Sequence, residues 1–216
     1  MLNTNRVKEV FLNSLARSEE NRQPYSHWLL SSVLPADVAG SIACLPFPPA
    51  TIDRYSGKRN SEDDQRVYLN AEMNSRFPEC SVLAEALDSA DVRSALESRC
   101  RVDLSGSHLR IEFTQDTDGF WLEPHTDISV KKFTMLIYVS RDPQLYDAGT
   151  DIFDGDRQLV STVPYSYNEG LIFIPSNDTW HGFRKRPIRG IRQSLIVNFV
   201  TDAWQDTWEL VRPRAA

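Results

Sequence analysis

The chain has 216 residues, 41% of them hydrophobic and 25% charged, and a formal net charge of −6. That length supports one sizeable domain with a real core, and the acidic balance argues against a non-specific nucleic-acid binder, which needs a basic face. Cys44, Cys80 and Cys100 are odd in number and spaced like neither a zinc site nor a disulfide framework. They read as small thiols in a reducing compartment. The N-terminal stretch Met1 to Glu20 has no uninterrupted apolar run, so it is not expected to act as a signal peptide, and no stretch approaches a membrane span. A cytoplasmic, non-membrane protein is the default expectation.

In chain order, Asn5 to Glu20 places Val7, Val10, Phe11, Leu12 and Leu15 near helical spacing. Tyr25 to Leu34 is apolar enough for a strand. Pro35 then opens a short helix through Ala43, since proline is tolerated in a first helical turn. Leu45 to Pro49 holds three prolines and is expected to be irregular. Ser56 to Arg66 is polar and reads as an exposed loop. Ser81 to Arg101 predicts one helix, with Leu83, Leu87, Ala90 and Leu96 on one side. From His108 the character changes to short strands: Leu109–Gln115, Phe120–Pro124, Phe133–Ser140, Thr150–Phe153, Leu159–Val163, Leu171–Pro175, Trp180–Arg184 and Gln193–Val200. Eight such strands after a helical first half predict an α+β chain, mainly β, with a jelly-roll or barrel core and helices packed on it.

The chemistry sits in His125-Thr126-Asp127, followed by His181 and Arg192. Two imidazoles and a carboxylate can take one face of a metal ion and leave three positions open, an arrangement that suits non-haem iron and oxygen. Manganese and zinc accept the same donors. In an extended segment His125 and Asp127 point to the same face. A lone His-x-Asp is weak; a surface histidine bonded to a neighbouring aspartate is the commoner explanation. Arg192 begins an apolar strand, unlike Arg184, Lys185 and Arg186, and shares a face with Ser194. Its guanidinium fork matches a carboxylate. His27 and His108 are read as structural.

These pieces, in this order, resemble the 2-oxoglutarate- and Fe(II)-dependent oxygenases, most closely their prolyl-4-hydroxylase-like branch. The matching segments are Leu109–Gln115 leading to Gly119 and His125-Thr126-Asp127, Thr134 to Val139, Ala148-Gly149-Thr150, Gly170 to Pro175, Trp180-His181-Gly182, and Gly190-x-Arg192-x-Ser194-Leu195. The resemblance implies a double-stranded β-helix over 108–200, helical support from 1–107 and a tail over 201–216, all in one domain. It implies Fe(II) on His125, Asp127 and His181, with 2-oxoglutarate and O2 as cosubstrates. It places Arg192 against the far carboxylate of 2-oxoglutarate, with Tyr138 and Ser194 as auxiliary contacts and Gln115 behind them or touching the cosubstrate. Asn198 stands where the DNA-repair branch carries a second arginine, which argues against a nucleic-acid substrate. Asp127 stands where iron halogenases carry a small residue.

The expected reaction is hydroxylation of an unactivated C–H bond, with succinate and CO2 as coproducts. A small-molecule substrate is preferred to a protein one. The expected rim of the site is Ser56–Arg66, Ile128–Lys132 and Arg141–Asp147, with Lys131, Lys132 or Arg110 as receptors for an anionic group. A cupin-like metal enzyme without 2-oxoglutarate would share the three metal donors but would not need Arg192.

Overall fold

In the computed structural model, which describes residues 2–49, 56–58 and 66–213, the chain begins with α1 (Thr4–Ala16). The Asn3 side chain caps it by accepting from the backbone N–H groups of Asn5 and Arg6. Val7, Phe11 and Leu15 bury one stripe of the helix. It stops short of the expected Glu20: residues 17–21 offer no apolar side chain to extend that stripe, and the Ser18 hydroxyl bonds the Leu15 carbonyl. The chain turns instead into β1 (Glu19–Asn21), which pairs with β2 (His27–Leu30). Pro35 then precedes α2 (Ala36–Ala43).

Residues 59–65 of the expected exposed loop lie outside the described residues. After them come β3 (Val67–Tyr68), α3 (Ala71–Arg76), α4 (Pro78–Leu87) and α5 (Ala90–Cys100). The single helix expected over Ser81–Arg101 is thus two helices. Asp88 ends the first, and Ser89 caps the second by accepting from Val92 N–H. Both residue types prefer such caps to helix interiors.

The second half supplies β4 (His108–Asp116), β5 (Leu122–His125), β6 (Lys131–Tyr138), β7 (Asp151–Phe153), β8 (Leu159–Thr162), β9 (Gly170–Phe173), β10 (His181–Phe183) and β11 (Arg192–Val200). All eight strands fall where the sequence put them. Two antiparallel sheets result. The larger runs β1-β2-β9-β6-β11-β4-β3 and the smaller β5-β10-β7-β8. The fold is mainly β with five α-helices among the described residues.

Alternation along the central strands decides what each face of the large sheet meets. Leu109, Ile111 and Phe113 of β4, Phe133, Met135 and Ile137 of β6, and Leu195, Val197 and Phe199 of β11 join one core with Phe11, Ile42, Leu83 and Leu96 of the helices. On the other face Leu136, Tyr138, Leu171 and Phe173 meet Ile152 and Phe183 of the small sheet in a second core. The candidate site lies between the sheets, beside that second core.

Cys80 and Cys100 are buried free thiols in the helical layer, and burial pushes both up to about 12. Cys44 is free and exposed. No helix among the described residues is long and apolar enough to cross a membrane.

Candidate active site

His125 ends β5 and His181 begins β10, and the two are direct partners across the strand pair. Their ring centroids are 4.4 Å apart. The His125 Nδ1 lies 2.9 Å from the Glu123 carbonyl and the His181 Nδ1 lies 3.0 Å from the Thr179 carbonyl. A carbonyl only accepts, so each Nδ1 carries a proton, and in the neutral ring the lone pair is then on Nε2. That is the tautomer a metal needs. Burial, and then the charge of the neighbouring His125, push His181 down to about 4. The ring is therefore neutral at ordinary pH.

Gly182 allows the close approach. A Cβ there would stand 2.9 Å from the Leu122 carbonyl oxygen and 3.0 Å from that of Glu123. A side chain would therefore push β10 off β5 and part the two histidines.

Asp127 lies just beyond β5. Lys131 Nζ donates to its Oδ1 at 2.6 Å, and the Thr134 hydroxyl donates to its Oδ2 at 2.6 Å. Burial alone would raise this carboxyl; the charge of Lys131 and the hydrogen bonds from Lys131 and Thr134 outweigh it and hold the group below the usual carboxylate range. Among the described residues no three His, Cys, Asp or Glu side chains close into a ready metal cage. One oxygen of the third donor is covered by an ammonium group. The donor set still fits a divalent transition metal: two imidazoles that can each offer Nε2, beside an ionised carboxylate.

Arg192 begins β11 and is 4% exposed. Its Nε donates to the Ala148 carbonyl at 2.6 Å, and its Nη1 pairs with Asp116 Oδ2 at 2.6 Å. The guanidinium lies 5.0 Å from the centre of the Phe183 ring. The Tyr138 ring centre lies 5.8 Å away, so two polar contacts and two rings hold the fork in place. Gly149 keeps this corner tight, because a Cβ there would overlap the Val163 carbonyl at 1.5 Å.

One cavity of about 480 Å³ joins these groups. His125, Asp127, His181 and Arg192 all line it, together with Phe120, Leu136, Thr150 and Phe183. The strand register orders its two ends. Along β11, Arg192 faces Asp116, and Asn198 faces Arg110 and Thr134 at the opposite end, with Ile196 between. Arg66, Arg110, Glu112, Lys131 and Trp204 line the far end.

The remaining residues singled out in the sequence divide. Tyr138 is fully buried, and its hydroxyl bonds Thr150 Oγ1 at 2.9 Å and accepts from Thr150 N–H. It borders the site through Thr150, which lines the cavity. Ser194 is fully buried beside Tyr138 in the register, and its Oγ has no hydrogen-bond partner among the described residues. Gln115 faces the helical layer: its amide donates to the Phe47 carbonyl at 2.7 Å, and its Oε1 accepts from Gln193. Alternation on β4 puts it on the face opposite Asp116.

His27 bonds the Tyr25 carbonyl and His108 bonds Asp202. Lys132 donates to the Ser105 carbonyl, and Arg110 is tied to Glu112 and Glu209. Ile128 and Lys131 line the cavity, as do Gly57 and Lys58. The Arg141–Asp147 segment does not; Arg141 stacks on Tyr167 and bonds its hydroxyl and the Ala36 carbonyl. Thr134, Thr150 and Asp116 were not singled out, and Asn198 was noted only as standing where another branch has an arginine, although the period of two places Thr134 on the Tyr138 face and Asn198 on the Arg192 face.

Neither a protein-family model nor a curated protein sequence matches this chain. Solved structures do. A prolyl 4-hydroxylase from Pseudomonas putida aligns over 91% of this chain and 100% of its own, with a TM-score of 0.61 and 17% identity. One from Phytophthora capsici aligns over 94% of this chain and 66% of its own, with a TM-score of 0.61 and 14% identity. A prolyl hydroxylase from Trichoplax adhaerens, solved with a peptide fragment of the hypoxia-inducible-factor oxygen degradation domain, aligns over 94% of both chains, with a TM-score of 0.56 and 13% identity. The chain has the fold of the prolyl 4-hydroxylases.

Proposed function

We propose that this protein is a 2-oxoglutarate- and Fe(II)-dependent dioxygenase that hydroxylates an unactivated C–H bond of a small molecule and releases succinate and CO2. Its two sheets are read as the halves of a double-stranded β-helix. The observation that carries the proposal is one cavity holding His125, His181, Asp127 and a locked Arg192.

His125 and His181 would hold the metal through their Nε2 atoms, and Asp127 through a carboxylate oxygen. Arg192 would take the far carboxylate of 2-oxoglutarate. Iron with 2-oxoglutarate and O2 supplies the oxidising power for C–H cleavage, which amino-acid side chains lack. The protein's own part is placement and exclusion. Asp116 and the Ala148 carbonyl set the fork of Arg192 before any ligand arrives, so little ordering remains to be done on binding. Phe120, Leu136 and Phe183 make the walls apolar and keep water from the reacting centre. Tyr138 steadies Thr150 at the cavity wall. Ser194 stands behind it with a buried hydroxyl to spare.

The small-molecule reading is supported by the size of the cavity and by its far end, where Arg66, Arg110 and Glu112 give a polar, charged lining. A prolyl-type protein hydroxylase is the second reading, favoured by the likeness to a structure solved with a peptide. Succinate release in air, with Fe(II) and 2-oxoglutarate, separates them. A panel of free amino acids and other small acids is expected to raise turnover, and Asp127→Ala to abolish it. Stimulation by proline-containing peptides alone would reverse the substrate assignment.

A further inference from the structure

Thr134, Asn198 and Arg110 form a hydrogen-bonded row behind Asp127, and donor chemistry fixes its direction. Asn198 of β11 is in register with Thr134 of β6 on one side and Arg110 of β4 on the other. All three are buried: Asn198 is 0% exposed, Thr134 3% and Arg110 3%.

Arg110 can only donate. Its Nε is held by Glu209 at 2.5 Å and its Nη2 by Glu112 at 3.0 Å, so the guanidinium cannot turn away. Its Nη1 lies 3.1 Å from the Asn198 side chain, which must therefore present its oxygen. The Asn198 amide nitrogen then faces the other way, and it donates to Thr134 Oγ1 at 2.9 Å. With that oxygen accepting, the single Thr134 proton goes to Asp127 Oδ2 at 2.6 Å. The opposite polarity would set an N–H against a guanidinium N–H in a buried site, which costs a full unsatisfied donor.

Oδ1 of the same carboxylate has a different kind of partner. Lys131 is a point charge on a flexible stem. Its side chain is 18% exposed and lines the cavity. One oxygen is thus held by the neutral Thr134 hydroxyl at the end of a buried row, and the other by a cation on a flexible, partly exposed stem.

We propose that Arg110, Asn198 and Thr134 are positioning residues that fix Asp127 by Oδ2 and reserve Oδ1 for the metal, with Lys131 as the counter-ion that the metal displaces. The proposal rests on the reading of Asp127 as a metal ligand. Exchanging one cation for another at Oδ1 means the buried carboxylate is never left without a counter-charge. Two partners of one carboxylate should then act with opposite sign.

The test is titration of the apo-protein with Co(II), read by its visible absorption, with thermal unfolding of each variant in parallel. Thr134→Val is expected to weaken Co(II) binding 10- to 100-fold, the usual range for a group that orients a metal ligand. Thr134→Ser should restore it, Asn198→Leu should follow Thr134→Val, and Lys131→Met should bind as tightly as wild type or more so. Wild-type affinity in Thr134→Val, or equal loss in Lys131→Met and Thr134→Val, would overturn the proposal. If wild type and Asp127→Ala bind Co(II) alike, the failure lies in the reading of Asp127 itself, and the proposal falls with it.

Discussion

On β4 the residues run Leu109, Arg110, Ile111, Glu112, Phe113, Thr114, and the two sets of side chains meet different worlds. The odd positions join the apolar core under the helices. The even positions, with Asp116, Thr134, Arg192, Ser194 and Asn198, bury polar and charged groups on the opposite face. The same strands therefore carry a face whose burial stabilises the fold and a face whose polar groups shape the site. Burying the second set gains little stability even when every group is paired. Its value lies in holding a geometry, and its cost is offset by the apolar face behind it.

Truncation on the two faces should separate these roles. Phe113→Ala, on the helical side, is expected to cost about 3–5 kcal/mol of stability through a cavity, yet leave Co(II) affinity within twofold in the folded protein. Urea unfolding and metal titration of the same sample check both. Arg192→Ala removes one charged partner of buried Asp116 and should cost up to about 3–5 kcal/mol. Adding Asp116→Ala should recover part of that stability but none of the 2-oxoglutarate binding. Recovery of both would make the pair a purely structural one.

The pH dependence sharpens the same contrast. His181 titrates at about 4 in the folded chain and near 6.5 when unfolded. The unfolded state binds the proton first, so stability falls as pH drops from about 6.5 towards 4. The loss is on the order of 3 kcal/mol. Denaturant melts of apo-protein at a series of pH values should show that slope, and His181→Gln should flatten it. The smallest effect belongs to Ser194. Its hydroxyl has no partner among the described residues, so Ser194→Ala should change stability by less than about 0.5 kcal/mol or raise it. A fall in 2-oxoglutarate affinity in that variant would show that the hydroxyl serves the cosubstrate.

Much of this was legible because strand periodicity and turn residues are local signals. All eight later strands were read from them, and so was the pairing of Arg192 with Ser194 on one face. His125 and His181 were legible only through the order of motifs; their contact is made by the β5–β10 register. The two-residue β3 is too short to carry a pattern, and β1 is made of Glu19, Glu20 and Asn21, which have no strand signature. The break at Asp88-Ser89 was written in capping residues, but apolar spacing on both sides hid it. Gln115 was placed near the cosubstrate because it precedes the metal motif, whereas alternation on β4 turns it to the helices. The Thr134–Asn198–Arg110 row joins three strands distant in sequence, and no local pattern announces it.

Anaerobic addition of Fe(II) and then 2-oxoglutarate to the apo-protein, watched for the weak visible charge-transfer band of the chelate, tests the central claim most directly. The expected result is a band in wild type that needs far more 2-oxoglutarate in Arg192→Lys, where the charge remains but the fork is lost. Bound iron with no band at any 2-oxoglutarate concentration would contradict it and leave a cupin-like metal enzyme in its place.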